Sequence, residues 1–194
     1  MFKEFAKLDV HHSLSPMEYY HPENASDVVT ADSPALSVFT DFHGRPPVTI
    51  EKKTLATAAL DKMKYAHVKA LLVVDDDDQI IGLVSSSAIL GVKKAQASQE
   101  HNIKQTEVTV WMIMCPIENL FLLNYKDLSN ARVGHIARLL HDESLQHILV
   151  YNVCSNGGKM IRGIFSAARL TRQLGIAVGA DLSSHTIAEM SKRI

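Results

Sequence analysis

Two short stretches bring small hydroxyls to the end of an apolar run. IIGLVSSSAIL, Ile80 to Leu90, passes from aliphatic residues through Gly82 to three serines, and RGIFSAARL repeats the gesture from Arg162 to Leu170 with Gly163 and Ser166. A strand ending in serine just before a helix start presents hydroxyl and backbone N–H groups at one place. Such a junction has two uses: capping the helix it precedes, or offering those groups to a ligand. The sequence leaves both open for Ser85 and Ser166. Polar residues also flank the apolar runs: Lys69 before ALLVV, Gln146 just before HILVY and His147 at its start, and the arginines Arg162, Arg169 and Arg172 around the second junction.

Other chemistries find little footing. His135, His141 and His147 recur every six residues, a spacing that does not keep three side chains on one helix face as the three-or-four spacing of helical metal motifs does. The acid run Asp75 to Asp78 lacks the spaced ligands of a calcium loop and lies where a hairpin turn is expected. Cys115 and Cys154 have no CxxC partner and no identifiable base or orienting group. An enzyme reading would gain ground if His147, Asp142 and Cys154 converged in one pocket, and no Gly-rich phosphate loop, HExxH or GxSxG motif supports one.

The elements that position the serines repeat. TLATAALDKM has helical apolar spacing, with Thr54 as its expected N-cap; ALLVV and IIGLV read as strands flanking the turn DDDDQ, and a helix follows the serines. Downstream the order recurs: NLFLLN, the helix VGHIARLL, the strand HILVY, the turn VCSNGGK, the strand MIRGIF and the helix SAARLTRQL. Ala70 and His147 are 77 positions apart, and Gly82 and Gly163 are 81 apart, so the second hairpin turn is four residues longer. Two like units of about 60 residues, each marginal alone, are expected to bury a shared face with pseudo-twofold symmetry. SPALSVFTDF and PPVTI read as short extended segments, and VWMIMCP precedes the second unit as LSVFTDF precedes the first.

The segments TLATAALDKMKYAHVKALLVVDDDDQIIGLVSSSAIL and VGHIARLLHDESLQHILVYNVCSNGGKMIRGIFSAARL, with their lead-ins, resemble the paired CBS domains, also called a Bateman module. The resemblance spans residues 35 to 175. It implies an α/β (α+β) fold of two strand-helix-strand-strand-helix repeats, at 35–95 and 108–175, joined by a linker at 96–107 and flanked by an N-terminal helix (Phe2 to Leu8) with an irregular arm to residue 34 and a helical tail at 176–194. It further implies a non-enzymatic sensor that requires no cofactor, binds AMP, ADP, ATP or S-adenosylmethionine between its repeats, and works as a homodimer on a regulated protein partner. Thr40, Lys69, Ser85, Gln146, His147, Ser166 and Arg169 are the expected ligand contacts.

The family's junction ends in an aspartate three residues after the hydroxyl, which grips the ribose. Here those positions hold Ala88 and Arg169. A methyl group accepts nothing and an arginine offers only donors. Losing a charge-assisted hydrogen bond costs roughly 1.5–3 kcal/mol, about 10-fold to 150-fold in affinity. The same residues therefore allow an alternative: a degenerate dimerisation and partner-binding scaffold without a small-molecule ligand.

A net charge of -1 and no Lys/Arg cluster argue against nucleic acid as a partner. The start MFKEFAKLDVHH carries charges where a signal peptide needs an apolar core, and no apolar run approaches bilayer-spanning length. The expectation is a cytoplasmic protein with no membrane partner.

Overall fold

Outside the lead-ins, each predicted strand and helix of the repeats finds a counterpart in the computed structural model, which describes residues 28–155, 157–176 and 178. The first half contains β1 (Thr40–Asp41), β2 (Thr49–Glu51), α1 (Ala56–Tyr65), β3 (Ala70–Val74), β4 (Ile80–Ser85), α2 (Ser86–Leu90) and α3 (Val92–Glu100). The second contains α4 (Val110–Ile113), β5 (Cys115–Pro116), β6 (Leu122–Asn124), α5 (Val133–Asp142), β7 (His147–Val153), β8 (Lys159–Ser166) and α6 (Ala167–Leu174). The N-terminal helix expected at Phe2 to Leu8, most of the irregular arm, and nearly all of the C-terminal tail lie outside the described residues. The segment 96–107, expected as a linker, opens in helix, since α3 continues through residue 100.

The strands make two four-stranded sheets, ordered β2-β3-β4-β5 and β1-β8-β7-β6. Within each, a short strand runs parallel to the first long strand and the two long strands form an antiparallel hairpin. The repeat extends to irregularities: the hairpins shift register at Val73/Val74 and at Val150/Tyr151, again 77 positions apart. The outer strand of each sheet comes from the other half. β1 pairs with β8, Thr40 opposite Ile164 and Asp41 opposite Gly163, while β5 pairs with β4, Cys115 opposite Leu83 and Pro116 opposite Gly82.

This exchange accounts for the two glycines. A Cβ on Gly82 would lie 2.5 Å from the Cys115 carbonyl oxygen and 3.0 Å from Met114 Sδ, and one on Gly163 would run into the Thr40 carbonyl oxygen and the Phe39 ring. Only a residue without a side chain lets the crossing strand approach so closely.

The lead-ins are less extended than expected. Ala35–Val38 forms a 3-10 turn and Val110–Ile113 forms α4, leaving two-residue strands after each. Their backbone groups serve the opposite helices instead. Ser33 O and Ala31 O accept the Val133 and Gly134 N–H groups that open α5, and Val108 O accepts the Ala56 N–H that opens α1. For that reason Thr54 is not the cap of α1: Leu55 occupies the cap position without a side-chain bond, and the free N–H is satisfied by the other half's main chain.

Each sheet has its own core, drawn from both halves of the chain. Met63, Leu71, Val73, Val84 and Ile113 pack in one; Leu140, Ile148, Val150, Phe165 and Leu170 pack in the other. The sheets meet through the opposite faces of the same strands, where Leu72, Leu83 and Leu149 are buried with Phe42 and Ile164 against them. Alternate residues of β3 thus serve two different cores, as the two faces of a strand require.

Candidate functional site

Beside this apolar contact the halves part into two clefts related by the internal symmetry, of about 510 Å³ and about 160 Å³. The larger has the size of a small-molecule site. The structure brings Thr40, Lys69, His147, Ser166 and Arg169 into the larger cleft, and Ser85, Gln146 and His147 into the smaller. His147, at the start of β7, faces both. Asp142 and Cys154 line neither, so the two do not converge with His147 in either cleft.

The two serines, alike in sequence, do different things. Ser85 caps α2, its Oγ accepting the Ala88 N–H at 3.2 Å, and lies 2.8 Å from Ser87 Oγ. Ser87 donates to Gln146 Oε1 at 2.7 Å. A chain of hydroxyls ending on an amide oxygen therefore crosses from one half to the other. Ser166 occupies the cap position of α6 but makes no side-chain cap bond, and no hydrogen bond of its hydroxyl occurs among the described residues. In the larger cleft that hydroxyl is free to meet a ligand.

Charge separates the clefts further. Arg45, Lys69, Arg169 and Arg172 line the larger one, with no aspartate or glutamate among its described lining residues. None of the four enters an ion pair with a described residue. Arg169 is half-buried and donates Nη1–H to Thr40 Oγ1 at 3.1 Å, which leaves four of its five N–H groups. A cleft lined by one sign of charge concentrates its field and draws counter-ions. Sequence reasoning named two of these cations, Lys69 and Arg169, as contacts and placed Arg172 beside them. It missed Arg45, which follows β1 in a loop and carries no periodic signal. Arg162 goes elsewhere: its Nη2 donates to Asp41 Oδ2 at 2.9 Å, and its guanidinium lies 5.1 Å from the Tyr125 ring centroid. Burial pushes the Asp41 carboxyl up, but the His43 backbone N–H and Arg162 outweigh it and hold its pKa below the usual value. This pair fastens β1, and with it Thr40, to the edge of β8.

His147 brings no charge at neutral pH. Desolvation between the clefts pushes its pKa down to about 4, so the imidazole is neutral there and acts as a hydrogen-bonding group, not as a cation for phosphate. The remaining sequence candidates have structural employment. His135 Nδ1 accepts the Arg132 N–H at 2.9 Å at the start of α5, and His141 pairs with Asp142 at 3.2 Å. Asp75 Oδ1 accepts the Asp77 and Gln79 N–H groups within the hairpin turn, and Asp76 meets Lys52 and Lys53. No cluster of potential metal ligands forms among the described residues, and no described helix is long and apolar enough to cross a membrane.

Comparison with known proteins agrees with this architecture. A family model described as the CBS domain matches residues 39–94. No curated protein matches the chain in sequence. Among solved structures, an uncharacterized conserved protein from Pyrococcus horikoshii is similar over 81% of this chain and 99% of its own, at 20% identity and a TM-score of 0.53. CBSX2 in complex with AMP is similar over 72% of this chain and 94% of its own, at 18% identity and a TM-score of 0.51. The CBS domain of a bacterial CNNM/CorC family Mg2+ transporter, in complex with the inhibitor IGN95a, is similar over 79% and 80%, at 15% identity and a TM-score of 0.50. At these identities the likeness is one of fold.

Proposed function

We propose that this chain, which carries a CBS domain at residues 39–94 and has the fold of CBS-domain proteins, is a non-enzymatic regulatory module that senses an adenine nucleotide or related adenosyl ligand in its larger cleft. The observation that carries the reading is the cleft itself: about 510 Å³ between the halves, four cations without ion-pair partners among the described residues, no described carboxylate, and the open hydroxyl of Ser166. One of the similar folds is a complex with AMP. The cations favour AMP, ADP or ATP over S-adenosylmethionine, whose sulfonium is itself positive. A ligand spanning walls from both halves would change how they sit together, and a homodimer would pass that change to a regulated partner. The exposed apolar side chains Tyr65, Leu90 and Val92 on α1 to α3 support such a dimer.

Thermal unfolding against AMP, ADP, ATP and S-adenosylmethionine tests the reading. A ligand at about 100 times its dissociation constant stabilises by roughly 2.7 kcal/mol, about 5–11 °C for a chain of this length. The expected result is such a shift with a nucleotide, lost in Arg169→Ala. No shift with any of the four refutes it and favours the second reading, a ligand-free dimerisation scaffold. The hydrogen-bonded chain of Ser85, Ser87 and Gln146 and the missing junction carboxylates at Ala88 and Arg169 support that alternative.

A further inference from the structure

Helix α6 turns one polar face to the larger cleft. Arg169, Arg172 and Gln173 all line it, and the latter two follow Arg169 by three and four residues, the spacing that keeps side chains on one side of a helix. The face does not belong to the repeat: 81 positions earlier stand Ala88, Gly91 and Val92, which carry no polar side-chain atom.

Gln173 differs from its two neighbours in what it lacks. Its Oε1 is shielded from solvent and has no hydrogen-bond partner among the described residues. A shielded acceptor without a donor is unfavourable, and folded proteins keep few of them. Ser166 and His147 can also accept in this cleft, and Thr40 Oγ1 already takes an Arg169 N–H at 3.1 Å, but none of these holds a shielded atom without a partner. The last torsion of a glutamine is soft, so the amide can turn its oxygen toward a donor that arrives at the cleft wall.

A nucleotide brings two kinds of donor, the hydroxyls of its ribose and the exocyclic amine of its base. Position on the helix separates them. Side chains three or four residues apart begin about 5–6 Å from each other, so a phosphate held by Arg169 or Arg172 leaves Gln173 beside the group that bears the phosphate, which is the sugar. The amine stands at the far end of the nucleoside, and Leu72, Leu83 and Ile164 supply apolar lining suited to the base.

Resting on the nucleotide reading of this cleft, we propose that Gln173 is its sugar-reading residue: Oε1 accepts from a ribose hydroxyl and selects nucleotides that carry that hydroxyl over those that lack it. Isothermal titration of the full chain with AMP, 2′-deoxy-AMP, 3′-deoxy-AMP and inosine monophosphate tests this, since all four share the 5′-phosphate and each analogue removes one candidate donor. The expected result is that one deoxy analogue binds about 10-fold more weakly than AMP. Gln173→Leu should bring AMP down to the level of that analogue and leave the ratio of AMP to inosine monophosphate as it was. The comparison within the unaltered chain decides even if the variant fails to fold. If both deoxy analogues bind as tightly as AMP, the inference falls while the nucleotide reading stands. A ribose preference that survives Gln173→Leu assigns the hydroxyl to another acceptor and overturns the inference. Should Gln173→Leu instead erase a preference for AMP over inosine monophosphate, the amide reads the base and the inference also falls. If none of the four binds and ATP leaves the melting temperature unmoved, the nucleotide reading and the inference fall together.

Discussion

Replacing Gly163 by alanine tests the strand exchange that shapes the larger cleft. The residue's backbone is outside the left-handed region, so alanine costs nothing there on conformational grounds. What the new methyl meets is the Thr40 carbonyl oxygen and the Phe39 ring. Neither yields easily. Thr40 is paired to β8 through the adjacent Ile164, and the Phe39 ring lies 5.2 Å from Phe165 and 6.0 Å from Tyr125, centroid to centroid. Overpacking of this kind costs about 1–3 kcal/mol, and backbone on one side with packed aromatic on the other places this site near the top, about 3 kcal/mol. At 2–4 °C per kcal/mol for a chain of this length, the melting temperature falls by about 6–12 °C. Gly82→Ala is expected to cost less, because one of its two neighbours is the flexible Met114 thioether. Gly44→Ala, with nothing within 4 Å, serves as control. Circular dichroism melts of the three variants provide the comparison. A Gly163→Ala melt within a degree of the Gly44→Ala control would refute the close approach on which the argument depends.

Three further outcomes follow from the site. His147 has a pKa of about 4 in the folded protein against 6.5 ordinarily, so the unfolded chain takes up its proton first as pH falls. Stability attributable to it is complete above pH 6.5 and declines toward pH 4, by up to about 3 kcal/mol; urea melts across that range should flatten in His147→Ala. Ser87→Ala removes the 2.7 Å bond to Gln146 and should cost no more than about 1.5 kcal/mol in a denaturant titration while leaving nucleotide affinity unchanged; a large fall in affinity would move the ligand to the smaller cleft. Asp75→Ala deletes the acceptor of two turn N–H groups, and a loss of about 1–2 kcal/mol in the same titration is expected.

The repeat was legible because burial dictates it. Leu72 and Leu149 hold equivalent places opposite Thr49 and Leu122, and the glycines mark the close approaches. The lead-ins were misread because their β-branched content suits a strand, whereas their conformation is set by helix ends elsewhere in the chain that need acceptors. Two-residue strands carry no period, so nothing in LSVFTDF indicates that Thr40 pairs across the molecule. The fates of Ser85 and Ser166 could not be separated either, since capping by one and not the other depends on Ser87, Gln146 and the local backbone. Neutral His147 is likewise a product of its surroundings.

The crossing of β1 and β5 has a consequence for inheritance and assembly. Cut between α3 and α4, the chain would yield two fragments, each carrying an edge strand torn from the other's sheet and exposing a raw hydrogen-bonding border. Neither is a transferable unit, although each contains a whole repeat. The borders are matched to donors that another copy of the chain also carries, so two molecules could trade lead-ins and restore every ladder intermolecularly. Proximity favours the trade within one chain, which gives the connection from residue 101 to 109 a part in how copies associate: shortening it should replace the internal exchange with interlocked pairs.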